Sequence, residues 1–341
     1  MKRTLLAMGA VLALALVSTA SAASFEARNV PADAKWLMHF NVDSFRDTKL
    51  AEHIRQERLN DPQVQRWFKW VEERYGINMR EDLHGMTLYG YSYEPHRGVI
   101  LLFGDYDREK TTAVLKGEPD YKTAKHGDYM IHTWALKHHK HEHQDAAHEN
   151  YPETMAAAFY DKGVVIATSP EGVKRALDVL DGKEPALEES SPLLGARPKG
   201  TVFYGAAIDL ADLKQHGEPT LPQFAILEQG KYVNVAMGQH EGTSFYRARF
   251  EARSPEVAEQ IGKILEGFEA MLAFQAESNE TIAHVAQGFK WNVDEATVTV
   301  NWKAKSDDVI ELVKKRMERM PFRQALRKEF GEQHQETPKQ R

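Results

Sequence analysis

Between Lys137 and His148 the chain reads Lys-His-His-Lys-His-Glu-His-Gln-Asp-Ala-Ala-His, and His126 and His132 lie just upstream. Neutral imidazole suits zinc, nickel and copper. His139, His141 and His143 are spaced two apart, so an extended segment turns their rings to one side. With His138 and His148 they form the candidate metal-ligating set, and Glu142, Asp145 and Glu149 could complete a coordination shell. The order matches no compact zinc motif, and no His-Glu-x-x-His helix occurs. Closing a flexible loop around an ion also costs conformational entropy. A solvated histidine-rich insertion with weak, adventitious affinity is therefore preferred over a selected metal site, and a loop that charges when its compartment acidifies is a third reading.

One other pair invites a chemical reading. His39 and Asp43 are separated by an even number of residues, which on a strand places both on one side, as a general base and its orienting carboxylate would be. The structural alternative is a strand histidine beside a helix-capping aspartate. No Gly-x-Ser-x-Gly elbow and no phosphate-cradling glycine loop is present. The chain has no cysteine, which excludes disulfides, thiolate metal sites and thiol catalysis. No catalytic residue is assigned, because nucleophile, base and orienting group are not found at readable spacing.

The elements that must position these residues begin with an address. Met1-Lys2-Arg3 precedes an apolar run over Leu5 to Val17, and Ala20-Ser21-Ala22 supplies small residues for cleavage, so 1–22 reads as a secretory signal with the mature chain starting at Ala23. No later stretch approaches the ~20 apolar residues of a membrane-spanning helix, so the expected product is exported and soluble, periplasmic or secreted, with no transmembrane segment. A net charge of -6 with interleaved signs excludes a nucleic-acid face of the usual basic kind.

Along the mature chain, Lys35 to Val42 reads as a strand, Asp43 as the cap of a helix running to about Leu59, and Pro62 to Tyr75 as a helix stopped at Gly76. Val64, Trp67, Phe68, Val71 and Tyr75 share one face of that helix, the pattern of a buried stripe. Strands follow at Met86 to Tyr93 and Gly98 to Phe103, a helix over Asp107 to Leu115, then strands at Tyr121 to Lys125, Tyr129 to Leu136, Thr154 to Tyr160 and Val164 to Thr168. A helix over Pro170 to Leu180 closes the series. The polar, proline-bearing stretch Lys183 to Lys199 reads as a boundary.

Beyond it the order returns: a strand over Thr201 to Ile208, a hairpin around Gln239 to Thr243, helices over Pro255 to Ala276 and Glu280 to Gly288, a turn and strand over Asp294 to Trp302 that answer Asp161 to Thr168, and a helix over Ser306 to Met320. The stretch Arg197 to Leu213 is a weaker copy of Pro31 to Phe45. The recurrence predicts an internal duplication. The expected fold is α+β, two related units of largely antiparallel sheet with helices packed on one face. The expected divisions are a first unit at 23–182 containing the histidine loop 137–150, a linker at 183–199, a second unit at 200–320 and a polar tail at 321–341.

Val30-Pro31-Ala32-Asp33-Ala34, Leu88-Tyr89-Gly90, the tract Gly163 to Ser169 and the helix end Ala176 to Gly182 resemble a family of uncharacterised exported bacterial proteins that carry a domain of unknown function. The resemblance implies an exported α+β protein and brings no catalytic residue, and the histidine tract is not part of it. The expectation is a non-enzymatic binding protein of the cell envelope, its partner an envelope protein or a small ligand. Metal binding or buffering through the histidine loop is the first alternative and an enzyme of unknown class the second.

Overall fold

The computed structural model describes residues 24–57, 62–94, 96–136, 152–161, 163–216 and 226–319. The expected signal segment 1–22, the histidine set His138, His139, His141, His143 and His148, and the tail 321–341 lie outside these residues.

The strands are β1 (Trp36–Asn41), β2 (Leu83–Gly90), β3 (Gly98–Gly104), β4 (Lys122–His126), β5 (Tyr129–Ala135), β6 (Thr154–Tyr160), β7 (Gly163–Ala167), β8 (Thr201–Ile208), β9 (Gly230–His240), β10 (Thr243–Ala252), β11 (Lys290–Asp294) and β12 (Thr297–Lys305). All belong to one antiparallel sheet of 12 strands in the order β11-β12-β10-β9-β8-β1-β2-β3-β7-β6-β5-β4. The helices are α1 (Val42–Arg46), α2 (Lys49–Glu57), α3 (Pro62–Tyr75), α4 (Arg108–Leu115), α5 (Pro170–Leu180), α6 (Pro255–Ala276), α7 (Glu280–Ala286) and α8 (Ser306–Arg319). The mixed α and β content with a large antiparallel sheet is as the sequence leads one to expect.

Several ends are set by local chemistry. Gly76, at a φ of 67°, follows α3 in the left-handed region that stops a helix. Asp107 accepts from Lys110 N and Ser169 from Gly172 N, so α4 and α5 start on side-chain caps. The cap expected at Asp43 falls instead on Asn41, whose side chain accepts from Ser44 N, and Asp43 lies inside α1. The single helix expected to reach Leu59 is two, with Asp47 and Thr48 between α1 and α2. A further strand, β11, which the sequence reading lacks, ends at Asp294.

Alternation along β1 divides the sheet into two faces. Leu37 and His39 point to the first, where Tyr89, Leu101, Phe103, Ile131, Val165 and Tyr204 form the main core under Val173, Ala176 and Leu177 of α5. The stretch 183–199 lies against this face: Leu187 and Leu193 are buried, and Leu193 O accepts from Tyr204 Oη at 2.7 Å. Trp36, Met38 and Phe40 point to the second face. There a smaller core of Phe250, Val298 and Leu210 forms under Ala258 of α6. Helices therefore cover both faces, α5 one and α6 the other, where a single covered face was expected. The physical reason is that the strands carry large apolar side chains on both faces, and each must be withdrawn from water.

Candidate functional site

On the second face, beside α6 and α1, whose Phe45 packs on Phe40 at 5.5 Å, lies a surface that no residue of a described helix lines. Trp36 and Met38 of β1, Leu88 of β2, Ile100 of β3, Ile166 of β7 and Val235 of β9 line a groove of 740 Å³. The registers put these residues on one face: Met38 stands opposite Leu88 and Gly205, Leu88 opposite Ile100, Ile100 opposite Ile166, and Gly205 opposite Val235. With Phe203 and Gly205 of β8 and Met155 of β6, seven adjacent strands contribute, so the floor is about 29 Å wide at the usual spacing of ~4.8 Å.

Glycines in the strands shape this floor. A Cβ on Gly90 would stand 2.6 Å from the Trp36 ring and one on Gly98 3.2 Å from it, so the indole lies flat across β2 and β3 because both side chains are missing. Trp36 Nε1 donates to Ser92 O at 2.9 Å, which fixes the ring in place. Phe203 uses Gly205 in the same way, at 3.2 Å from where a Cβ would be. Tyr93 closes one end and donates its hydroxyl to Ile208 O at 2.5 Å. The polar atoms of Trp36 and Tyr93 are thus committed to the protein backbone, and what rests on the floor meets apolar carbon. Glu94, His96 and Thr168 stand on the rim, and Pro152, the first described residue after the histidine tract, lines it too.

The residues singled out by sequence lie elsewhere. His39 is 3% exposed, with Nδ1 2.8 Å from Thr87 Oγ1 and its ring edge-on to Phe25 and Phe103. Asp43 turns to Arg46 at 2.6 Å and to His84 Nδ1 at 3.1 Å. The general-base reading is not met, since each of the two is engaged by different neighbours. His84 also reaches Asp105, at 3.5 Å. Burial alone would lower its pKa, but the carboxylates of Asp43 and then Asp105 outweigh that and raise it. His126 pairs with Asp178 at 2.9 Å, and His132, hydrogen-bonded with Tyr121 at 2.8 Å, has its pKa lowered by burial and by Lys116. Among the described residues no group of three or more histidine, aspartate or glutamate side chains is arranged to hold a metal ion.

The expected core stripe of α3 is met only in part: Val71 is 8% exposed, but Trp67 is 40% exposed. The groove itself was not read from sequence. Its one available signal was the set of glycines at 90, 98 and 205, the first two at strand ends and the third inside β8, which mark close approach by another group.

Comparison with family models gives no match, and comparison with curated proteins gives none. Among solved structures, crystal form I of TP0453 superposes with a TM-score of 0.41 at 10% identity, covering 86% of this chain and 98% of that one. Crystal form IV of the same protein gives 0.41 at 10% identity, over 87% and 99%. Likeness of this degree transfers neither fold nor function. No described helix is long and apolar enough to cross a membrane.

Proposed function

We propose that this chain is an exported, non-enzymatic binding protein of the cell envelope, and that its ligand is an amphiphile whose hydrocarbon chain lies in the groove over Trp36 and Met38. The observation that carries this is the groove floor, apolar across seven strands and lined by no residue of a described helix, with the polar atoms of Trp36 and Tyr93 already committed. A sugar, a nucleotide or an extended peptide laid there would lose its hydrogen bonds to water and gain none, at a cost of ~1–3 kcal/mol for each buried polar group. A hydrocarbon chain gains about 0.8 kcal/mol for each methylene withdrawn from water. The rim at Glu94, His96 and Thr168 provides hydrogen-bonding groups for a polar end.

The export signal and the resemblance to exported proteins belong to the same reading, as does an internal duplication. What supports the duplication is the strand order: β1-β2-β3-β7-β6 on one side of the β1–β8 pairing is matched by β8-β9-β10-β12-β11 on the other. In both series a helix follows the third strand and another follows the fourth in that spatial order: α4 and α5 in the first series, α6 and α8 in the second.

The test is titration of the mature protein with long-chain fatty acids bearing a bromine or nitroxide quencher, read on tryptophan fluorescence. Saturable quenching is expected, lost in Trp36→Phe. Met38→Glu, which places a carboxylate on the floor, should weaken binding at least tenfold, ~1.4 kcal/mol. Quenching that does not saturate, or that survives both substitutions, would remove the groove as the site. Metal binding through His138, His139, His141, His143 and His148 is a separate proposal, favoured by one observation: the described residues flanking that tract, Leu136 and Glu153, are hydrogen-bonded at 2.9 Å beside the groove rim. Titration with zinc, nickel and copper, against a variant with all five histidines changed to alanine, checks it.

A further inference from the structure

Helix α6 buries one side and exposes another that is just as apolar. Ala258 and Gly262 are buried against the sheet, Gly262 facing Trp291 and Val293. Ile264, Phe268, Met271 and Phe274, spaced four, three and three apart, are 51%, 41%, 49% and 76% exposed. These spacings place the four side chains on one stripe of the helix. Its charge is one-sided as well, since α6 carries Glu256, Glu259, Glu266 and Glu269 against the single cation Lys263. Exposed apolar stripes of this kind mark interaction surfaces, and the acidic setting selects a basic partner.

We infer that this stripe is covered by residues 320–330 of the same chain. Their sequence, Met-Pro-Phe-Arg-Gln-Ala-Leu-Arg-Lys-Glu-Phe, places Phe322, Leu326 and Phe330 four apart, the repeat of one helical face, with Arg323, Arg327 and Lys328 against one acid, Glu329. Both the apolar spacing and the charge sign complement α6. The connection is short too. α8 ends at Arg319 and packs on α7, with Glu311 accepting from Thr281 Oγ1 at 3.0 Å and Asp308 3.7 Å from His284. α7 packs in turn on α6, where Phe289 just beyond α7 meets Phe268 edge-on at 5.4 Å. Neighbouring packed helices have axes about 8–10 Å apart, a distance that a few residues of chain span. An anionic lipid surface is disfavoured by the four glutamates on α6.

The absence of cysteine allows a direct test in the full mature chain. Nitroxide labels at Ala270→Cys and Gln324→Cys, beside the two stripes, should give a short, narrow distance distribution by pulsed electron resonance. Arg323→Glu with Arg327→Glu should broaden it, and adding Glu266→Arg with Glu269→Arg should restore it. Of the described residues among these, Glu269 contacts the sheet, accepting from Trp291 Nε1 at 3.1 Å, and circular dichroism would confirm that each variant is folded. A broad distribution in the parent chain would overturn the inference. So would a short distance that disappears on dilution with unlabelled protein, which would assign the stripe to a second copy, or a broad one that narrows only on adding vesicles, which would assign it to lipid.

Discussion

The hydroxyls of Tyr106 and Tyr160 are buried with no hydrogen-bond partner among the described residues, while the buried hydroxyls of Tyr89 and Tyr91 meet only each other. Burial raises the pKa of all four, so they stay neutral phenols at any physiological pH. An unsatisfied buried hydroxyl costs about 1–3 kcal/mol, while its ring still fills space and covers apolar area. Tyr160→Phe is therefore expected to be neutral or to stabilise by up to about 1 kcal/mol in urea denaturation; a loss of more than that would reveal a partner for the hydroxyl. Two histidines set opposite pH dependences. For His84 the folded pKa is raised, so its contribution is full below the ordinary value of 6.5 and fades as pH rises through the folded pKa. For His132 the folded pKa is lowered, so its contribution is full above 6.5 and fades as pH falls below that value. His84→Gln should therefore cost stability mainly in mild acid and little near pH 8, which urea midpoints across that range would measure. Neither histidine's role was legible in sequence, because Asp43, His84 and Asp105 are brought together only by β2 pairing between β1 and β3.

Strand and helix ends were largely readable, since alternation, capping residues and glycine stops act over a few neighbours. Pro170–Leu180 and Pro255–Ala276 fall where their proline starts and apolar periodicity place them. The misplaced cap at Asp43 shows where local reading stops. Asn and Asp cap about equally well, and Asn41 is chosen because β1 stays paired to Gly85 through that residue and turns into α1 directly after it. Gly90 ends β2 and Gly98 opens β3, places where glycine is ordinary, and local reading does not show that both lie beneath the Trp36 ring. Gly90→Ala must push that indole off the floor, and overpacking of this kind typically costs ~1–3 kcal/mol. The expected outcome is a lowered urea midpoint together with a shifted tryptophan emission and weaker quenching by the labelled fatty acid. An unchanged emission maximum would show that the ring is not seated as described.

For the whole molecule, the decisive feature is the antiparallel pairing of β1 with β8, from Trp36 opposite Ala207 to Phe40 opposite Phe203, which makes one sheet of all the strands. The main core crosses that seam, since Leu37, Tyr89 and Leu101 share it with Tyr204, Ala206 and Ala236. Urea unfolding should accordingly be a single transition, coincident by far-ultraviolet circular dichroism and by tryptophan fluorescence; two separated transitions would mean that the strands on either side of β1–β8 fold independently. By itself the sequence determined the element types, most of their ends and the α+β class, because periodicity, capping and turn chemistry are properties of adjacent residues. Only the tertiary structure decided that one continuous sheet results, that helices lie on both of its faces, and that a strip of its second face is left open over Trp36 and Met38. These depend on which distant strands become neighbours and on which apolar side chains a helix happens to cover, and alternation along a strand gives two faces without saying what will cover either.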